Sequence, residues 1–146
     1  MMPVTLHITS YTDDEGKFHI DVVQPGAAGI KGTTEKRILD GELGDHQDHI
    51  FGKVQTTNNW AKVADITDDD KEDEALFKSK WLPESLEGDV IDNHATSVGN
   101  GWVARQIWGF QEFDGVRKYA RNIVVKKGDK VERVTMVYDY KGPLKE

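Results

Sequence analysis

The chain has 146 residues, no cysteine, and 26 acidic against 19 basic side chains, and 37% of its residues are hydrophobic. This length suits a single domain over residues 1–146 that folds without a metal or a disulfide, and the lack of cysteine excludes a disulfide scaffold, a thiolate zinc site and a cysteine nucleophile. Because no apolar run is long enough to span a membrane and the N-terminus has no basic, apolar leader, we expect a cytoplasmic protein with no membrane partner.

The formal net charge of −7 is unevenly distributed along the chain. Residues 1–101 have a net charge of −11, whereas residues 102–146 have a net charge of +4. An acidic protein repels polyanions, and the basic part contains no basic helical segment, so we expect no nucleic-acid partner. Such a distribution is typical of solvated strands, but it also leaves open a homodimer whose subunits pair head to tail.

Alternation of apolar and polar residues, typical of half-buried strands, dominates the N-terminal half. Residues 4–8 and 18–22 form a predicted hairpin around a turn at 13–16, and the Pro25–Gly32 segment ends its second strand. Further strand-like segments follow at 33–39, 50–57 and 60–66. The last two are joined at Asn58-Asn59, because asparagine tolerates left-handed turn conformations.

One helix interrupts the strands. Thr67 is its predicted N-cap, the acidic residues 68–74 fill its first turns, and Pro83 ends it. The side chains expected to be buried against the sheet are those of Leu76, Phe77 and Trp81.

The last third of the chain consists of four strand-like segments, VIDNHATSV, WVARQIWGFQEF, VRKYARNIVVKK and KVERVTMVYDY. Tight turns separate them, and Asp114-Gly115 and Gly128-Asp129 suit two-residue primed turns. Short antiparallel connections over this length predict a mainly β fold, an antiparallel up-and-down β-barrel of 8–10 strands with one short α-helix.

Turn length determines register, so these turns predict which residues face each other. Phe113 opposite Val116 places Trp108 beside Arg121, and the next turn places Arg121 beside Met136. The inner face then contains residues suited to binding a ligand, namely Trp102, Gln106, Trp108, Phe110, Tyr119, Met136 and Tyr138, together with Arg121. The opposite face, which includes Gln111 and Asn122, is expected to be solvated.

The register of residues 90–98 is less constrained, because the turn at 99–101 is irregular. With Val98 opposite Trp102, Asp92 lies in one row with Arg121, and His94 lies beside Gln106 on the inner face. A shift of one residue sends His94 outside instead. A buried arginine must be paired, so Arg121 is predicted to bind either Asp92, in a filled core, or an anionic or carbonyl group of a ligand in a cavity.

Two His and two Asp within Asp45–His49 suggest a metal site. On a strand, however, His46 and His49 point to opposite faces, so we predict no metal there and interpret the segment as a polar turn or the lip of the cavity. His7 and His19 are expected to be exposed. With no nucleophile motif and no phosphate-binding loop in a strand–helix setting, we do not expect a hydrolase, a kinase or a nicotinamide enzyme, and we expect no cofactor.

Three segments of the chain resemble a known family: TTEKRILDGELGDHQDHIFGKV, GWVARQIWGF and YARNIVVKKGDKVERVTMVYDY. They are similar to small lipocalin-like, calycin-type β-barrel proteins of filamentous fungi, over about residues 33–140. The resemblance implies a barrel that holds a hydrophobic ligand. It also implies a relation to fungal cyclases and isomerases of secondary metabolism, at the level of the fold alone.

Two functions follow from the predicted interior. In the first, the barrel binds a small hydrophobic molecule: Arg121 pairs with its polar group, Gln106 and Tyr138 orient it, and the aromatic rings supply contact area. In the second, the same cavity houses a cofactor-independent isomerase, cyclase or lyase for a polyketide- or terpenoid-like substrate. His94 or Asp92 is then the general base, and Arg121 stabilises a developing enolate.

Overall fold

The computed structural model describes residues 5–26, 29, 31–48 and 52–143 of the chain. The strands within these ranges are β1 (His7–Thr12), β2 (Phe18–Gln24), β3 (Thr33–Ile38), β4 (Gly44–Asp48), β5 (Gly52–Ala61), β6 (Val90–Ser97), β7 (Trp102–Phe113), β8 (Val116–Lys127) and β9 (Lys130–Tyr138). Between β5 and β6 lie a 3-10 turn (Val63–Asp65) and the helices α1 (Lys71–Phe77) and α2 (Pro83–Glu87). No helix among the described residues is long and apolar enough to cross a membrane.

The strands form two antiparallel sheets, one with the order β1-β2-β3 and one with the order β4-β5-β6-β7-β8-β9. The predicted mainly β, antiparallel architecture is therefore confirmed. Closure into a lipocalin-like barrel is not, because within the described ranges the two sheets share no ladder and β9 ends its sheet as an edge strand.

Local turn chemistry determines the pairing of β7, β8 and β9 as predicted. Asp114 and Gly115 both have positive φ angles, 51° and 78°, as a type I′ turn requires. Phe113 accordingly pairs with Val116, and further along the same strands Trp108 pairs with Arg121. The next ladder pairs Arg121 with Met136 and Tyr119 with Tyr138, also as predicted.

The predicted register of β6 against β7 is wrong by one residue. Ile91, not Asp92, pairs with Trp108, so Asp92 and His94 lie on the face opposite to Arg121. The connection explains the shift, because β6 ends at Ser97 and β7 begins at Trp102, which makes a four-residue loop. The Ser97 hydroxyl accepts a hydrogen bond from the backbone N–H of Asn100 at 3.2 Å and stabilises that loop.

The expected turn at Asn58-Asn59 is absent, since β5 runs unbroken through both residues. Asn58 is buried, and its side-chain oxygen accepts a hydrogen bond from the amide of Asn93 on β6 at 2.8 Å. This bond satisfies an amide that would otherwise be unfavourable inside a strand. The predicted start of the strand at Ile50 lies outside the described residues.

The helical segment also differs from the expectation. Asp70, not Thr67, caps α1, because its carboxylate accepts hydrogen bonds from the backbone N–H groups of Glu72 and Asp73 at 2.9 and 3.1 Å. Pro83 does not simply end a helix but begins α2, at the first-turn position where its missing N–H is harmless.

These helices cover one face of the six-stranded sheet. The core beneath them consists of Val63, Ile66, Phe77, Trp81, Val90, Ile107, Ala120 and Val124. Gln111 and Asn122, expected in solvent, are buried here and joined by a hydrogen bond of 3.1 Å. The predicted burial of Phe77 and Trp81 is confirmed, and Leu76 is partly buried beside them. The three-stranded sheet lies against the other face of the large sheet, where Glu35 of β3 contacts Arg121 and Arg37 lies beside Trp108.

Candidate functional site

The inner face of the large sheet, toward β1–β3, contains the side chains predicted to bind a ligand. Trp108 is 3% exposed and Arg121 is 4% exposed, whereas their neighbour in the same row, Met136, is 44% exposed. Val134, also on this face of β9, is exposed as well. The face is therefore buried at its centre and opens to solvent at β9.

Arg121 lies within a group of aromatic rings. Its guanidinium carbon is 3.8 Å from the centre of the Trp108 ring and 5.6 Å from the centres of the Tyr119 and Tyr138 rings. The two tyrosine rings are themselves stacked, with centroids 5.0 Å apart. We refer to these four residues as the arginine cage. Aromatic faces attract a guanidinium through their quadrupole, most strongly where water is excluded.

The polar contacts of Arg121 differ from the expectation. Its Nε donates to the Tyr119 hydroxyl at 2.6 Å, and its Nη1 lies 3.4 Å from Oε1 of Glu35 on β3. The predicted partner, Asp92, lies on the opposite face of the sheet. Nη2 of Arg121 is buried and has no hydrogen-bond partner among the residues that the structure describes.

Glu35 and Arg37 were not singled out in the sequence, yet they complete this site. Arg37 is 7% exposed, its Nη2 donates to Oε2 of Glu35 at 2.8 Å, and its guanidinium carbon lies 5.9 Å from the Trp108 ring centre. Its Nε is buried without a partner in the described ranges. No local signal distinguishes these residues, because a run of charges such as 35–37 is usually solvated.

Burial and charge act in opposite directions in this cluster. Burial acts to raise the pKa of Glu35, but Arg121 and Arg37 outweigh it and lower that pKa below its ordinary value, so the residue is a carboxylate. Burial raises the pKa of the Tyr119 phenol despite the nearby Arg121, so this hydroxyl stays neutral. The cluster therefore has two cations against one anion.

The remaining predicted ligand-binding residues lie around the cage at different distances. Gln106 accepts a hydrogen bond from Nε1 of Trp108 at 2.8 Å and thereby orients the ring. The ring of Phe110 is 6.3 Å from that of Tyr119. Trp102 begins β7, six residues from Trp108 and so about 20 Å away along the strand, and it does not join the cage.

An amide pair that sequence analysis also missed lies on the same face. Asn93 is fully buried beside Gln106, and its amide donates to Asn58. The side-chain oxygen of Asn93 has no partner in the described part of the chain. Side chains alternate along β6, so Asn93 and Asp92 lie on opposite faces of the sheet. The correct register of β6 against β7 would therefore have placed Asn93 on the inner face.

The predicted catalytic pair, His94 and Asp92, meets on the helix side of the sheet instead. Nε2 of His94 is 3.2 Å from Oδ1 of Asp92, and Arg105 binds both carboxylate oxygens of Asp92 at 3.1 and 2.8 Å. Burial acts to raise the pKa of Asp92, but His94 and Arg105 outweigh it and lower it to about 2. The side chain of His94 is 50% exposed, and with Arg105 it lines a cavity of about 300 Å³ next to α1. A base here is separated from Arg121 by the sheet.

A second cavity, of about 510 Å³, lies near β2–β5 and is lined in part by Tyr11, His19, Asp45 and Asn58. His19, expected to be exposed, is partly buried. Its ring stacks on Tyr11 with centroids 4.5 Å apart, and its Nε2 lies 2.7 Å from an oxygen of Asp13. Asp45 lines this cavity, which contains none of the residues of the arginine cage, so its position does not test the interpretation of its segment as the lip of the ligand cavity.

His7 is exposed, as predicted. The described residues contain no group of three or more His, Cys, Asp or Glu side chains arranged to hold a metal ion. His49 lies outside the described ranges, and His46 is in β4.

Two curated proteins are similar to this chain. The probable pericyclase scpY of Mollisia scopiformis is 31% identical over 118 residues, which are 79% of this chain and 58% of that protein. The pericyclase pydY of an Acremonium species is 30% identical over 144 residues, which are 96% of this chain and 73% of that protein. No family model and no solved structure matches the sequence.

These relatives support the fungal part of the resemblance, but they do not confirm a lipocalin-like family. They favour the cyclase alternative over simple binding of a hydrophobic molecule. The matched stretch is 58% of the length of the first protein. Because the second is matched over 73% of its length at 30% identity, the chain belongs to the family of these fungal pericyclases.

Proposed function

We propose that this protein catalyses a pericyclic ring-forming or rearrangement reaction on a secondary metabolite, and that the reaction takes place at the arginine cage. The observation that carries the proposal is Arg121, which is almost fully buried among aromatic rings and yet keeps one N–H donor, Nη2, without a partner among the described residues. Access is provided by the exposed inner side of β9 at Met136. The names of the two relatives supply the reaction class.

The chemistry of such a reaction suits the residues at the cage. A pericyclic reaction makes and breaks bonds within one cyclic array of electrons, so it requires no nucleophile from the protein. The protein contributes by holding the flexible substrate in its reactive conformation. The rings of Trp108, Tyr119 and Tyr138 provide flat apolar contacts for this purpose.

Arg121 supplies the electrostatic part. An N–H donor directed at a carbonyl oxygen withdraws electron density from a conjugated alkene and stabilises charge that develops on the oxygen in the transition state. Trp108 holds the guanidinium plane and Glu35 contacts its Nη1, so the donor is already oriented before substrate binds. Because His94 and Asp92 lie on the other face, the proposal assigns them no role as a base.

The test uses a linear trienone, whose conjugated diene and enone can close a ring within one molecule. Ring formation and the ratio of diastereomers are followed by chromatography and mass spectrometry with the wild type, Arg121→Met and, as a matched control, Lys127→Met, which removes an exposed cation at the end of β8. We expect wild type and control to accelerate ring closure and to favour one diastereomer. Arg121→Met should be slower by about 100-fold, the usual effect of removing one such donor.

Equal acceleration by the wild type and Arg121→Met would contradict the assignment to the cage. Recovery of bound but unchanged trienone from the wild type, with ring closure only at the rate in buffer, would instead support the simpler function of binding.

A further inference from the structure

The charge at the arginine cage is not balanced by the protein. Arg37 and Arg121 are both buried, both are permanently charged, and both contact the single carboxylate of Glu35. Within the described ranges no second carboxylate pairs with either guanidinium, so the cluster has a net charge of +1. A buried charge without a counter-ion is strongly unfavourable, which makes a bound anion the natural complement.

The two donors without partners indicate where that anion binds. They are Nε of Arg37 and Nη2 of Arg121, both buried, one on each of the two guanidinium groups that Glu35 bridges. Both guanidinium groups also lie beside the same ring, that of Trp108, at 5.9 and 3.8 Å from its centre. Two donors on separate cations suit a ligand with two oxygens, and the adjoining aromatic rings suit an apolar group attached to it.

We propose that the substrate of this site binds as a monoanion with two oxygens, and that Arg37 and Arg121 each donate to one of them. The inference rests on the proposed function, because it concerns the same cage. A carboxylate and the enolate of a 1,3-dicarbonyl compound share this chemistry. A neutral carbonyl, such as that of the trienone, can accept from one donor but leaves the net charge uncompensated, so it is expected to bind more weakly than the anion. A dianion such as a phosphate monoester exceeds the net charge.

Glu35 is then a positioning residue. It holds the two guanidinium groups at its two oxygens, 2.8 Å from Arg37 Nη2 and 3.4 Å from Arg121 Nη1, and it neutralises one of the two positive charges. Removal of its charge leaves more positive charge for the ligand. Glu35→Gln is therefore expected to bind the anion more tightly than the wild type. Damage to the fold would weaken binding instead, so this result separates an electrostatic effect from a structural one.

The experiment compares probes that share one alkyl chain length. They are 5-decylcyclohexane-1,3-dione at pH 8, where it is ionised, its neutral enol methyl ether, and undecanoate. Binding is measured by calorimetry and by quenching of tryptophan fluorescence, with the wild type, Glu35→Gln, Arg37→Met and the control Lys127→Met. We expect the wild type to bind the dione at least about tenfold more tightly than the ether, since the ionised dione neutralises the net positive charge of the cluster and the ether does not.

The variants separate charge from shape. Glu35→Gln should strengthen binding of the dione several-fold and leave the ether unchanged, Arg37→Met should weaken binding of the dione by about tenfold, and Lys127→Met should change neither. Tighter binding of undecanoate than of the dione identifies a carboxylate, and the reverse order identifies an enolate.

Equal affinity of the wild type for the dione and the ether would overturn the inference of an anionic substrate while leaving the proposed site intact. If neither probe binds, both the site and the anion are wrong.

Discussion

Replacement of Arg121 by methionine tests whether this arginine serves the fold or the ligand. A structural arginine would stabilise the protein, whereas an arginine held for a ligand contributes little until the ligand binds. The substitution removes one buried N–H donor that has no partner among the described residues, and this should raise the free energy of unfolding by about 1–3 kcal/mol. Against this stand three lost contacts: the one with Trp108, about 0.5–2 kcal/mol, the hydrogen bond to the Tyr119 hydroxyl, about 1 kcal/mol, and the contact with Glu35, about 1 kcal/mol at its length of 3.4 Å.

At mid-range the losses exceed the gain by roughly 1 kcal/mol, so we expect the free energy of unfolding of Arg121→Met to stay within about 2 kcal/mol of that of the wild type. Glu35 keeps Arg37 as its partner and is not left alone. The comparison variant is Phe77→Ala, which opens a cavity in the core under the helices and should lower stability by about 3–5 kcal/mol.

Urea unfolding followed by circular dichroism measures both variants, and the same preparations are assayed with the trienone. We expect Arg121→Met to lose no more than about 2 kcal/mol of stability and to close the ring about 100-fold more slowly than the wild type. A loss of more than about 3 kcal/mol would refute the reasoning, because it would show that the protein itself, not a ligand, completes the environment of the guanidinium.

Three further predictions follow from the geometry. Asp92→Asn should lower stability at pH 7 by about 2 kcal/mol, since the pKa of Asp92 falls from 3.8 to about 2 on folding. This contribution is complete only above the ordinary pKa, so the difference from wild type in urea unfolding should shrink below about pH 4, be small at about pH 2 and vanish below it. A difference of unchanged size at about pH 2 would contradict the assigned cause. Asp70→Ala removes the N-cap of α1 and should lower the stability of the protein by about 1 kcal/mol, whereas Thr67→Ala should not lower it. Equal losses of stability for the two variants in thermal unfolding would indicate that Thr67 is also a cap. His94→Ala should retain wild-type activity on the trienone, because the side chain of His94 lies on the helix side of the sheet. A folded but inactive variant would indicate that His94 is the general base and that the reaction takes place on the helix side.

The pairing of the last strands could be predicted from the sequence because it is determined locally. A two-residue turn such as Asp114-Gly115 leaves one register available. Counting back from Phe113 and forward from Val116 in that register places Trp108 opposite Arg121. The alternation of side chains then assigns each residue to a face. The composition of that face, with one arginine among aromatic rings, is the basis on which the site is proposed.

The same local logic failed where the connection was not a two-residue turn. The four-residue loop between β6 and β7 shifted the register by one, and this moved His94 and Asp92 to the other face and brought Asn93 inward. The strand pattern of residues 90–97 contains polar residues on both faces, so periodicity alone does not reveal which face is inner.

The sequence by itself determined the antiparallel strands, the register around the tight turns and the placement of Arg121 beside Trp108, because each of these depends on neighbours along the chain or across one turn. Only the tertiary structure decided what covers each face of the large sheet, and therefore that Gln111 is buried and that Glu35 and Arg37 meet the cage. Glu35 and Arg121 are 86 positions apart. Contacts of this kind depend on how two sheets pack, and the alternation of a strand has the same form whether its polar face meets water or another sheet.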